Sequence, residues 1–124
     1  MDRVGPAGAV VSGQRELLIH AFGSDPAVIT GALRVARNAR HGLPQARIRV
    51  VVQGPAVTGL VGGSGFDDDL VDTLRGMIDV AACGNSMERE RIEQDQLTEG
   101  VTVVPSAVVH LAEQQWAGAA YVRV

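Results

Sequence analysis

The sequence predicts an α/β protein, a three-layer sandwich around a five-stranded, mostly parallel sheet in the flavodoxin-like order 2-1-3-4-5. Three observations carry this. Apolar runs of strand length alternate with stretches of helical periodicity. Glycine, proline and capping residues mark the boundaries between them. The second and fifth strand segments, "ARIRVVVQGP" and "AAYVRV", alternate in polarity as sheet edges do.

The elements follow in order. "ELLIHAF" (Glu16–Phe22) is a continuous apolar run, as expected of a strand covered on both faces. "GSDP" breaks it, and Asp25 before Pro26 reads as an N-cap with proline at the first helical position. Val28, Ala32, Val35 and Ala39 then recur at helical spacing until "HGLP" stops the helix. After the second strand comes a long glycine-rich loop, "GPAVTGLVGGSG", whose Gly59–Gly65 part is expected to be a mobile surface or subunit-contact loop. Asp67, Asp68 and Asp69 open a short helix carrying Leu70, Val71 and Leu74, and "GMIDVAAC" is the third strand.

Asn85 and Glu88 have capping-box spacing and predict a third helix ending near Leu97. "GVTVVP" is the fourth strand, Ser106 caps a last helix through Trp116, and Gly118 ends it before the closing strand. Residues 1–13, rich in glycine, proline and alanine, read as a flexible arm, and residues 14–124 as a single domain.

Composition narrows the function. In 124 residues the net charge is −3 and every basic side chain is arginine, a balance that argues against nucleic-acid or anionic-membrane binding. No apolar run approaches the roughly 20 residues that span a bilayer, and the N-terminus does not resemble a signal peptide. A single cysteine cannot form an internal disulfide, so a cytoplasmic location is expected.

Open α/β sheets bind ligands beyond the carboxyl ends of their strands, where strand order reverses. In the expected order that crevice lies between strands one and three. It collects Ser24 after strand one, Gln53 after strand two, Cys83, Asn85 and Ser86 after strand three, and Ser106 after strand four. His110 lies one turn into the last helix, near the same ends. Cys83 is the candidate nucleophile, because it precedes a helix start whose free amides favour a thiolate. The alternative is that Cys83 is a small buried hydrophobe closing a core strand.

His20 reads as a hydrogen-bonded core or rim histidine and His41 as a surface one. No metal site is expected: there is no second cysteine or ligand-spaced histidine pair, and Asp67–Asp69 read as solvated carboxylates at a helix start. "GLVGGSG" matches no phosphate-loop pattern and no lysine accompanies it. "FGSDP" lacks the hydroxyl-rich loop of a flavin site, so no cofactor is expected. A phospho-receiver would need an aspartate where Cys83 stands and a late lysine.

Several segments together resemble the DsrE/DsrF-like family, small α/β proteins related to sulfur relay. They are Cys83-Gly84-Asn85-Ser86 (C-x-N-[ST]), "VPSAV" from Val104, Gln115-Trp116 and the "GAAYV" ending from Gly118. The resemblance covers roughly Arg15 to Val124. It implies a DsrE-like fold assembled as a homotrimer or hexamer, in which Cys83 carries a persulfide between a protein sulfur donor and acceptor. Asn85 and Ser86 would then stabilise the thiolate or persulfide. Two departures stand out: Gln53 sits where the family often has histidine, and Asp79 falls where strand three should be apolar. The other reading is a non-catalytic small-ligand or assembly module with a structural cysteine.

Overall fold

The computed structural model describes residues 15–124. The expected N-terminal arm lies outside the described residues. Strand β1 (Glu16–Phe22) leads to α1 (Val28–Gly42), then β2 (Arg47–Gln53) and a 3-10 helix (Gly54–Leu60). Next come α2 (Asp67–Arg75), β3 (Asp79–Cys83), the short α3 (Gly84–Arg89) and a 3-10 turn (Gln94–Gln96). The chain closes with β4 (Thr102–Val104), α4 (Ala107–Trp116) and β5 (Ala120–Arg123).

All neighbouring strands are parallel, and the five-stranded α/β sandwich is the one expected. The order across the sheet, however, is β4-β3-β2-β1-β5, in place of 2-1-3-4-5. β2 is therefore central, with β4 and β5 at the edges. Arg47 and Arg49 alternate with apolar residues in β2 because the two faces of the sheet are covered unequally. One side of β2 is wholly apolar, while the other meets Asp79, which lies 3.6 Å from Arg47 and 3.4 Å from Arg49. The same pairs explain why an aspartate starts β3.

Handedness then dictates the layers. From β1 to β4 each strand steps the same way across the sheet, and right-handed crossovers place the intervening helices on one face. The step from β4 back to β5 runs the opposite way past three strands, so α4 crosses on the other face. The buried clusters agree. Ile19, Ile29, Leu33, Val50, Leu70 and Met87 belong to the large core, whereas Leu18, Val51, Cys83, Ala107 and Leu111 form a small one beneath α4.

Locally, α1 buries Ile29, Ala32, Leu33 and Ala36, the i, i+3, i+4, i+7 stripe of an amphipathic helix. Burial of Ile29 or Leu33 contributes about 1.5–3 kcal/mol relative to exposure. The helix begins two residues later than Pro26; Asp25 instead accepts the Ala27 N–H through Oδ1 at 2.9 Å. Arg40 ties its end to the sheet, donating to the carbonyls of Ala46 (2.6 Å) and Met77 (2.9 Å).

The glycine-rich stretch is a loop only in part, with residues 62–65 forming an exposed turn and Gly54–Leu60 ordered. The ordered part forms the 3-10 helix, and Ala56, Val57 and Leu60 enter the main core. Leu60 is fully buried and Phe66 packs against the same core, so these side chains are not an exposed subunit surface. Helix α3 ends at Arg89, well short of Leu97, and its N-cap is Cys83. The capping box in this region is Glu93 with Gln96, on the 3-10 turn. Ser106 does cap α4, accepting the Val109 N–H.

Gly54 has φ +82°, and a Cβ there would lie 2.8 Å from the Phe22 ring and 2.9 Å from the Gly23 carbonyl oxygen. Both the left-handed backbone and the backbone contact penalise a side chain. Gly54→Ala is expected to destabilise the fold by about 2 kcal/mol or more, read as a lowered urea midpoint. An unchanged midpoint would show that this turn does not hold the end of β2.

Candidate functional site

The observed topology moves the crevice without moving the cysteine. β1 and β3 do not touch, since β2 lies between them. The adjacent strands whose outgoing chains part to opposite faces are β3, which leads to α3, and β4, which leads to α4. The parting is tight. A Cβ on Gly84 would lie 3.2 Å from the carbonyl oxygens of Val104 and Pro105, and Asn85 N–H donates to Pro105 at 3.2 Å. Cys83 is the last residue of β3 at this fork, with its side chain on the α4 side.

The thiol is 2% exposed, packed with Leu18, Val51, Ala107 and Leu111. Burial is the largest single influence on its acidity and raises the pKa. Hydrogen bonds from the Ser86 hydroxyl and from the backbone amides of Ser86, Ala107 and Asn85 together outweigh it, leaving the thiol below its ordinary 9.0. Ser86 is itself held in place: its Oγ accepts the Gly54 N–H at 2.8 Å, which leaves its own proton for the sulfur.

Gln53 stands beside Cys83. Val52 pairs with Ala82, and the next residues in that parallel register are Gln53 and Cys83, on the same face of the sheet. The Gln53 Oε1 lies 2.7 Å from His20 Nε2, and His20 Nδ1 lies 2.7 Å from the Tyr121 hydroxyl. Burial lowers the His20 pKa most; the hydrogen bond to Gln53 opposes this, and the Arg123 charge adds to it. His20 is therefore a neutral ring at pH 7. Arg123 lies 5.5 Å over the Phe22 ring and donates to the Phe22 carbonyl.

The remaining candidates are not among the groups bonded to the thiol. Ser24 is exposed after β1, two strands from β3. The Ser106 hydroxyl oxygen is occupied as the α4 cap. His110 Nε2 accepts from Arg49 at 3.2 Å. Its pKa is lowered chiefly by burial and then by Arg49, against smaller opposing effects of Glu16 and Glu113. With its lone pair engaged, His110 does not serve Cys83 as a base. The structure thus gathers Cys83, Asn85, Ser86 and Gln53, and adds Gly54, His20 and Tyr121. The signal for the additions is parity: His20 and Gln53 lie on one face once β1 and β2 pair in register, and Tyr121 joins only when β5 is placed beside β1. Among the described residues no cluster of three metal-ligating side chains occurs.

No family model and no curated protein matches the chain. Solved structures do. A protein of unknown function from Methanobacterium thermoautotrophicum, MTH1491, is 28% identical, with a TM-score of 0.82 over 90% of this chain and 100% of that one. The ychN protein of E. coli is 19% identical, with a TM-score of 0.75 over 90% of this chain and all of its own. BT1422 from Bacteroides thetaiotaomicron, a conserved protein of unknown function, is 17% identical, with a TM-score of 0.70 over 88% and 94%. The fold is shared with all three.

Because hydrogen bonds hold the thiol below 9.0, the pH at which alkylation reaches half its maximal rate should lie below that value. Ser86→Ala removes one of those bonds and should move the midpoint up. A midpoint that is at or above 9.0 in the wild type, or unmoved in Ser86→Ala, contradicts this account.

Proposed function

We propose that the protein is a sulfur carrier in which Cys83 holds a persulfide. The observation that carries this reading is a cysteine at the end of β3, at the β3–β4 fork and on the α4 side of the sheet, beside Ser86, whose Oγ is held by the Gly54 N–H. The resemblance of Cys83-Gly84-Asn85-Ser86 and of the chain after Val104 to the DsrE/DsrF-like family supplies the chemistry. A carrier needs one nucleophilic thiol, and this chain has one cysteine.

The exchange balances without a cofactor. The Cys83 thiolate attacks the outer sulfur of a donor persulfide, a new S–S bond forms at Sγ, and the donor's S–S bond breaks to release its thiolate. An acceptor thiolate then attacks the outer sulfur on Cys83 and regenerates the Cys83 thiolate. The Ser86 hydroxyl and the neighbouring amides stabilise the anion at Sγ in both directions. At 2% exposure the thiol meets a partner only when the start of α4 lifts, so exchange reports that local opening.

Self-assembly belongs to the same reading. Helix α4 leaves apolar side chains bare, including Trp116 (84% exposed), Val108 (63%) and Val109. Their burial against further copies of the chain, as a trimer or hexamer, would cover the side of the sheet that α4 leaves open. No helix among the described residues is long and apolar enough to cross a membrane. The reducing cytoplasm is the compartment that suits a free thiol carrier.

The second reading, a structural cysteine in a ligand-binding or assembly module, is favoured by the apolar packing around Sγ. Intact-mass measurement after exposure to a small persulfide separates the two. A gain of one sulfur atom in the wild type, absent in Cys83→Ser, is expected; no gain in the wild type rejects the carrier. For assembly, light scattering should give a multiple of the 13.0 kDa chain, and Trp116→Glu should reduce it. A monomeric wild type at micromolar concentration rejects the assembly.

A further inference from the structure

The Ser86 hydroxyl and the amides of Ser86 and Ala107 serve Sγ, and the Asn85 amide is shared with the Pro105 carbonyl. A persulfide places its terminal sulfur about 2.05 Å further out, where a charge needs a donor of its own. On this face of the sheet one amide is available. Gln53 lies between β1 and β3, and its Oε1 is taken up on the β1 side by His20. Its Nε2 has no hydrogen-bond partner among the described residues. Because an amide oxygen only accepts, His20 must carry its proton on Nε2, and its Nδ1 then accepts from the Tyr121 hydroxyl. The chain of bonds spans β5, β1 and β2. His20 is 7% exposed and stacks on Phe22 at 5.9 Å, so the ring has little freedom to turn.

We propose that Tyr121, His20 and Gln53 act as one unit that fixes the Gln53 amide, so that its NH2 group receives the terminal sulfur of a Cys83 persulfide. His20 and Tyr121 are positioning residues, and Gln53 is the group that touches the transferred sulfur. The proposal deepens the sulfur-carrier reading and rests on it. Glutamine suits the task because it is a donor that stays neutral. It can hold a sulfur anion without giving it a proton or competing as a nucleophile.

The test equilibrates the intact protein with a persulfide/thiol buffer and reads loaded against free Cys83 by intact mass. Gln53→Leu and Gln53→Glu should each lower the loaded-to-free ratio about tenfold, the effect of one hydrogen bond to a charged atom. Gln53→Leu should not move the thiol alkylation midpoint, which Ser86 and the amides determine, whereas the added charge of Gln53→Glu should raise it. His20→Phe should act in the same direction, and the double variant His20→Phe/Gln53→Leu should be no worse than Gln53→Leu alone. Tyr121→Phe, a change at the exposed edge that spares the fold, should give a smaller loss. Nitrogen-15 spectra of the His20 ring should show the proton on Nε2, with a changed tautomer balance in Gln53→Leu.

A proton on Nδ1 overturns the proposal whatever the protein does with sulfur, because the amide would then be turned the other way. Unchanged loading in Gln53→Leu, or effects that multiply in the double variant, overturns it while leaving the carrier intact. A wild type that takes up no sulfur overturns both.

Discussion

The fork between β3 and β4 is the constraint on which the rest of this structure depends. Right-handed crossovers send α3 to one face and α4 to the other, because the last connection reverses direction across the sheet. Two chains must therefore part within the width of two neighbouring strands. Gly84 permits it by bringing backbone against the Val104 and Pro105 carbonyls. The same closeness brings the amides of Ser86 and Ala107 to a single sulfur and the Asn85 amide between it and the Pro105 carbonyl. Donors recruited this way need no side-chain entropy to hold them, which is why a covered thiol can still be acidified.

Unequal covering of the two faces is the second consequence. The face under α1, α2 and α3 is a conventional apolar core, while α4 alone lies on the other. A single helix cannot dry that surface, so it accommodates polar residues in bonded sets. Arg49 bridges Asp79 and His110 at the amino end of the strands, and His20 bridges Tyr121 and Gln53 at the carboxyl end. These sets are separated along the strands by Leu18 and Val51, so the charge of Arg49 does not reach the thiol through a bonded path.

The sequence made the elements legible and left their arrangement ambiguous, for reasons that are local. Strand β1 was readable to the residue, and Ser106 as the α4 cap, because each depends on its own neighbours. Strand order depends on which face is covered. Arg47 and Arg49 suggest an edge, yet a central strand with one thinly covered face shows the same alternation. The glycine-rich stretch after Pro55 was misleading in the opposite way. Its glycines suggest mobility, but Ala56, Val57 and Leu60 fall on one side of a 3-10 helix and are buried. In the site, Cys83, Asn85 and Ser86 were visible as one contiguous segment. The His20–Gln53 bond was not, since it requires the β1–β2 register, and Tyr121 enters only once β5 is known to flank β1.

Burial of Cys83 and a lowered thiol pKa are compatible for a physical reason. An inert core cysteine is surrounded by groups that offer its sulfur nothing, and burial then drives its pKa up. Here the side of the sulfur facing Leu18, Val51 and Leu111 is apolar, while the side facing the fork is lined by donors. Packing with those apolar neighbours excludes water, which strengthens each hydrogen bond on the other side. Covering also shields the thiolate from adventitious oxidation, because oxidation follows exposure as well as thiolate character. A carrier gains from both, provided that the cover opens for its partner. The α4 N-terminus is the element placed to do so, since it supplies part of the cover through Ala107 and one of the donors through the same residue's amide. Lifting it would expose the sulfur and loosen its hold on the anion in one motion, coupling access to release.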